Sequence, residues 1–93
     1  MLRVNEYFQG KVKSISFQGM DAPATVGVIS PGEYVFSTSQ KEVMTVISGN
    51  LEVKLKDARE FEIYSKNQSF IVPAGESFSV RAKEDVSYLC LYY

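Results

Sequence analysis

Turn-forming residues punctuate this chain roughly every ten residues, and that spacing limits its fold more than any other feature. Gln18-Gly19-Met20-Asp21-Ala22-Pro23 is a loop, and Pro31-Gly32 and Ser48-Gly49-Asn50 are tight turns. Lys56-Asp57-Ala58-Arg59 and Lys66-Asn67-Gln68 are polar breaks, and Pro73-Ala74-Gly75 and Lys83-Glu84-Asp85 complete the series. The runs between them read as strands: 11–17, 24–29, 33–38, 43–47, 50–55, 60–64, 69–72, 77–81 and 86–92. Alternation is clean in Leu51-Val53-Leu55, with Glu52 and Lys54 facing the other way, and again in Tyr34-Phe36-Thr38 and Phe78-Val80. No segment shows helical periodicity. Many short strands at even turn spacing predict an all-β sandwich or barrel, a class that includes jelly rolls.

Length allows one domain over residues 1–93, with a thin core. Aromatics make up 13% of the chain, all Tyr and Phe, which suits strands and leaves rings to line a pocket. The formal net charge is -1 and no basic stripe stands out, which argues against a nucleic-acid polymer as partner. No apolar run reaches membrane-spanning length, and the N-terminus lacks the apolar stretch of a signal peptide, so no membrane partner is expected. Cys90 is the single cysteine, so no internal disulfide forms, which suits a reducing compartment. These points predict a cytoplasmic protein.

The chain has no histidine. Ser-His-Asp and Cys-His catalysis are therefore excluded, and so is a zinc site built on His or several Cys. Any proton transfer must use another side chain.

The turn skeleton resembles that of the cupins, whose barrels carry two motifs. In the first, a His-x-His pair precedes a Glu and a closing Gly. Here Glu42 is followed, after six residues, by Gly49, and the two histidine places hold Phe36 and Thr38. In the second, Pro-x-Gly precedes a further His. Here Pro73-Ala74-Gly75 fits, and the histidine place holds Phe78. One carboxylate alone does not hold a transition metal, so no metal is expected.

A longer resemblance spans nearly the whole chain. Asn5-Glu6-Tyr7-Phe8, Gly10-Lys11-Val12-Lys13-Ser14-Ile15, Gly32-Glu33-Tyr34, Phe36-Ser37-Thr38, Met44-Thr45-Val46-Ile47-Ser48-Gly49 and Tyr88-Leu89-Cys90 look like the pyrimidine/purine nucleoside phosphorylase family of small bacterial cupins. The resemblance implies a cupin-like jelly-roll barrel. It also implies a pentosyltransferase activity: nucleoside and inorganic phosphate give free base and pentose 1-phosphate. Broad tolerance of purine and pyrimidine bases and a homodimer come with it. Phosphate is then a co-substrate, and no cofactor is expected.

Glycosidic cleavage passes through an oxocarbenium-like state, which calls for nearby negative charge or an acid, a surface for the base, and fixed polar groups. Glu42 is the first catalytic candidate. Its other reading is a structural carboxylate that caps a strand or pairs with a lysine. Glu33, just after the Pro31-Gly32 turn, is a second acid candidate that also reads as a solvated turn residue. Tyr34, Phe36, Phe78 and Tyr88 are candidates to line one cavity and stack a base, or else to fill the core. Thr38, at a former ligand place, faces inward and bonds either substrate or backbone. Arg81 follows the second motif and is the candidate phosphate fork at a barrel mouth. Lys11 and Lys13 read as a solvated strand face, and Cys90 as inert packing.

The competing function is a non-catalytic cupin module that binds a small aromatic metabolite or nucleoside. Fold alone does not separate the two. A dimer is expected in either case, through the aromatic last strand or the first one, since a small sheet domain has edges to protect.

Overall fold

The computed structural model describes residues 2–93. Ten strands follow in order: β1 (Arg3–Tyr7), β2 (Val12–Gln18), β3 (Pro23–Ile29), β4 (Gly32–Ser37), β5 (Glu42–Ser48), β6 (Leu51–Lys54), β7 (Glu62–Tyr64), β8 (Ser69–Val72), β9 (Ser77–Ala82) and β10 (Val86–Tyr92). No helix interrupts them among the described residues. All pairings are antiparallel. One sheet has six strands in the order β1-β2-β3-β10-β5-β8, and the other has four in the order β4-β9-β6-β7. The non-sequential neighbours are the crossovers of a jelly roll, as the turn spacing predicts.

Period-two patterning decides which side chains meet between the sheets. On β9, Phe78, Val80 and Ala82 are buried while Ser77, Ser79 and Arg81 lie on the other face. On β6, Leu51 and Val53 are buried and Glu52 and Lys54 face away. The same alternation in β5 and β10 sends Glu42, Met44 and Val46, and Tyr88, Cys90 and Tyr92, to the inner side. Val12, Ile29, Leu51, Val53, Val72, Val80 and Val86 close the core at essentially zero exposure.

Two features differ from the sequence expectation. The first is β1, a strand that the sequence pattern does not mark. Nearly all its side chains are exposed or half-exposed, so periodicity gives no signal, and its partner β2 holds it instead. The Asn5 amide donates to the Ser14 and Ser16 hydroxyls at 3.2 and 2.9 Å, and Lys13 pairs with Glu6 at 3.4 Å. The second is β10, which lies between β3 and β5 and has no free edge. It can meet a second molecule only through its outer face, not by strand addition.

Gly27 on β3 is required by a close approach. It lies directly opposite Tyr88 on β10, and the Tyr88 ring crosses it so closely that a Cβ would stand 2.5 Å from the hydroxyl. The absence of a side chain lets the ring lie flat on the sheet.

Candidate active site

The inner faces of the two sheets part around a cavity of about 290 Å³. That is at the small end of the range for small-molecule sites. Its apolar wall is Phe36 and Val35 of β4, Phe78 of β9 and Met44 of β5, with Phe8 from the β1–β2 turn. Its polar wall is Glu42 of β5, Tyr88, Cys90 and Tyr92 of β10, and Ser14 of β2. Tyr7 and Ser37, both exposed, complete the rim.

Strand register explains the polar cluster. Glu42 lies opposite Tyr92, and Met44 opposite Cys90, on adjacent strands. The Cys90 thiol donates to Glu42 Oε1 at 3.4 Å, and the Tyr92 hydroxyl bonds Thr25 Oγ1 at 2.9 Å. Burial raises the Glu42 carboxyl above the ordinary carboxylate range, and the thiol hydrogen bond offsets this only in part. Burial likewise pushes Tyr88 up to about 12, with its bond to Ser14 acting the other way. Burial pushes Cys90 and Tyr92 up as well, and the charge of Glu42 adds to both. At neutral pH this wall is therefore a set of O–H and S–H groups around one carboxyl. Among the described residues no lysine or arginine lines the cavity.

Four of the eight sequence candidates meet here: Glu42, Phe36, Phe78 and Tyr88. The Phe36 and Phe78 rings stand 5.8 Å apart, side by side on paired strands. The other four are placed elsewhere. Tyr34 is buried behind the wall, and its hydroxyl donates to the carbonyls of Ser30 and Pro31 at 3.0 and 3.1 Å. Thr38 faces inward, but its hydroxyl is consumed by backbone, donating to Pro73 O at 2.7 Å and accepting from Glu76 N at 3.1 Å. Arg81 does not reach a barrel mouth. It lies on the outer face of the four-stranded sheet, bound to Glu52 at 2.8 Å and stacked over the Phe61 ring at 4.0 Å. Glu33 is exposed on the same outer face, 3.9 Å from Arg81. Both follow from the pleat: Glu33 and Arg81 are directly paired, on the side away from the core.

Ser14, Met44, Cys90 and Tyr92 were not sequence candidates. The signal was present in part, since Cys90 and Tyr92 alternate with Tyr88 along one strand. Tyr7 and Phe8 carry no such signal. They reach the cavity because the β1–β2 hairpin folds over it. The backbone there is unusual. Phe8 and Gln9 have φ of 53° and 59°, followed by Gly10 at 84°. Gly10 N bonds Tyr7 O at 3.1 Å and Lys11 N bonds Phe8 O at 3.2 Å, closing two overlapping left-handed turns. A residue with a side chain pays about 1–2 kcal/mol for that conformation. The Phe8 ring packs on Tyr34 and Phe36, with centroids 4.9 and 5.6 Å away.

The places that bind metal in other cupins do not fit a metal here. Phe36 and Phe78 have no donor atom, the Thr38 hydroxyl is committed to backbone, and Glu42 has beside it only the Cys90 thiol, which burial holds protonated. Among the described residues no three His, Cys, Asp or Glu side chains cluster as ligands.

A jelly roll with a half-buried acid and aromatic rings at the usual ligand positions defines a cupin-like protein. The fold is shared with the polyketide cyclase RemF from Streptomyces resistomycificus, at a TM-score of 0.77 and 14% identity over 98% of this chain and 72% of that one. The chain belongs to the pyrimidine/purine nucleoside phosphorylase family, whose model matches residues 2–92. A pyrimidine/purine nucleoside phosphorylase from Hahella chejuensis is 51% identical over 92 residues, covering 99% of each chain. The crystal structure of a protein of unknown function from Vibrio parahaemolyticus superposes at a TM-score of 0.95, with 40% identity, over 100% of this chain and 99% of that one.

Proposed function

We propose that this chain is a metal-independent nucleoside phosphorylase, a pentosyltransferase that releases free purine or pyrimidine base with inorganic phosphate as co-substrate. The observation that carries the reading is Glu42, a carboxyl of raised pKa inside an aromatic cavity. The family and its curated relatives are named for this activity.

In the proposed reaction a phosphate oxygen attacks C1′ of the pentose while the glycosidic bond breaks toward the base. The bonding electrons pass to the base, and Glu42 delivers a proton to it. The proton carried by hydrogen phosphate then restores Glu42. Raised pKa suits this duty, since an acid works best when its pKa approaches the working pH. Phe36 and Phe78 supply an apolar face for any base, because stacking does not read hydrogen-bonding edges. The hydroxyls of Tyr88, Tyr92 and Ser14 are assigned to the sugar. With no cation in the cavity wall, the rim hydroxyls of Tyr7 and Ser37 are assigned to phosphate.

We also propose a homodimer. Two apolar rows cross the outer face of the six-stranded sheet in register: Val4–Ile15–Val26–Leu89, and Phe17–Ala24–Leu91–Val43–Ile71. Val4, Ile15, Phe17, Val26 and Ile71 of these rows are exposed, while Ala24 is covered; monomers rarely leave such an apolar surface to water, and a second copy presents a matching one. At strand spacings of about 4.8 Å, five strands span roughly 19 Å. Among the described residues no helix is long and apolar enough to cross a membrane. With its unpaired cysteine, the chain is assigned to the cytoplasm.

The test is release of free base from uridine and adenosine by purified protein, with and without phosphate and with chelator. Phosphate-dependent, chelator-insensitive release is the expected result. Tight nucleoside binding without release overturns the enzymatic reading and leaves a binding module.

A further inference from the structure

We propose that Phe8 is a substrate-contacting residue: its ring forms the wall of the cavity against which the base of the substrate stacks, and so selects for a flat aromatic aglycone. The inference rests on the nucleoside reading and deepens it.

Three observations converge on this residue. Phe8 occupies a left-handed turn position, φ 53°, that glycine and asparagine fill at little cost and a bulky ring does not. Strain of this kind is held where a side chain must be aimed, and here it aims the ring at the cavity. Second, the ring is not spent on the core. It remains 42% exposed even though it packs on Tyr34 and Phe36. A ring serving only as filler would hide more of its surface. Third, its packing fixes its orientation. Phe36 meets it edge to face at 88°, and Tyr34, which backs it, is anchored to backbone through its hydroxyl. The ring is thus preorganised from behind and free in front, which is how a stacking surface gains affinity without ordering cost.

Chemistry then names the ligand class. The wall it belongs to is aromatic and apolar, and among the described residues no charged group other than Glu42 lines the cavity. The site suits an uncharged planar heterocycle, purine or pyrimidine alike. It discriminates against a puckered, saturated ring such as that of 5,6-dihydrouridine.

The test compares wild type with Phe8→Asn and Phe8→Tyr. Asparagine relieves the turn and removes the ring, whereas tyrosine keeps the ring. For Phe8→Asn the expected result is a higher Tm together with a KM for uridine and adenosine raised roughly ten-fold or more, kcat changing much less. Phe8→Tyr keeps the wild-type KM, and wild type prefers uridine to 5,6-dihydrouridine by a margin that Phe8→Asn loses. An unchanged KM in Phe8→Asn overturns the proposal. A fall in Tm accompanying the rise in KM overturns it too, since the ring then only holds the hairpin. If wild type releases no base, the phosphorylase reading fails separately, and uridine Kd by calorimetry decides this one. Weakened binding in Phe8→Asn supports it, and equal binding, or none by wild type, refutes it.

Discussion

The Cys90 thiol donates a hydrogen bond to the Glu42 carboxyl at 3.4 Å across the junction of two neighbouring strands. It is the single hydrogen bond that lowers the pKa of an acid which burial raises. The thiol itself is buried and held protonated, so the pair works as donor and acceptor rather than as two competing charges.

Removing the thiol takes away the one opposing effect on Glu42. In Cys90→Ala the carboxyl rises further, and the alkaline limb of the kcat/KM–pH profile moves to higher pH. A limb that moves to lower pH contradicts this account. In the native wild type the same thiol reacts with a thiol reagent only as fast as the protein opens.

Glu42→Gln abolishes the proton donor and keeps the shape. Phosphorolysis falls by about 10²–10⁴-fold. The stability effect has the opposite sign. A carboxyl whose folded pKa is raised stabilises the native state fully below its unfolded value, near 4.5, and loses that contribution as pH rises through the folded value. The variant therefore gains Tm relative to wild type at pH 8, and the gain shrinks toward pH 4 in parallel melting curves. Equal activity of the two proteins removes Glu42 from the mechanism.

Gly27→Ala places a Cβ 2.5 Å from the Tyr88 hydroxyl and 2.6 Å from its ring carbon. The ring must tilt into the cavity. Overpacking of this kind costs on the order of 1–3 kcal/mol, or about 4 °C or more of Tm in a domain of this size. KM for nucleoside rises as well, since Tyr88 lines the cavity. A variant that melts and binds as wild type shows that the ring is mobile there.

Arg81→Ala leaves kcat/KM for phosphate and nucleoside within about twofold of wild type, because Arg81 is held on the outer face by Glu52 and Phe61. Its loss appears in stability instead. Arg81 depresses the Glu52 carboxyl, so the contribution is present above the ordinary carboxyl pKa and is lost as pH falls through the depressed value. The Tm difference between variant and wild type is thus larger at pH 7 than in acid. A large rise in the KM for phosphate restores Arg81 to the site.

Val26→Asp sets a charge in the middle of the outer apolar row, between Ile15 and Leu89. Light scattering at micromolar concentration shows a dimer for wild type and a monomer for the variant. A monomeric wild type removes the dimer proposal, and a dimeric variant moves the interface elsewhere.

Much of the architecture was written in local chemistry. Turn residues and period-two alternation mark the strands from β2 onward to within one or two residues, because each pleat must hide one face. Pro73, Gly75, Glu42 and Gly49 carry the cupin skeleton, and the absence of histidine excludes His-based catalysis outright. Alternation also places Glu42, Phe36, Phe78 and Tyr88 on inner faces. What only the tertiary structure decided is which inward residues share a space. Thr38 and Tyr34 point inward like the others, yet backbone carbonyls at the strand ends take their hydroxyls. Arg81 was assigned to a mouth although its parity sends it outside, to Glu52. Cys90 reaches Glu42 because β10 inserts between β3 and β5, strands distant in sequence. Phe8 reaches the cavity through a left-handed turn that no periodicity announces. Local sequence sets the face of each strand, whereas sheet order and hairpin closure set its neighbours, and a site is made of neighbours.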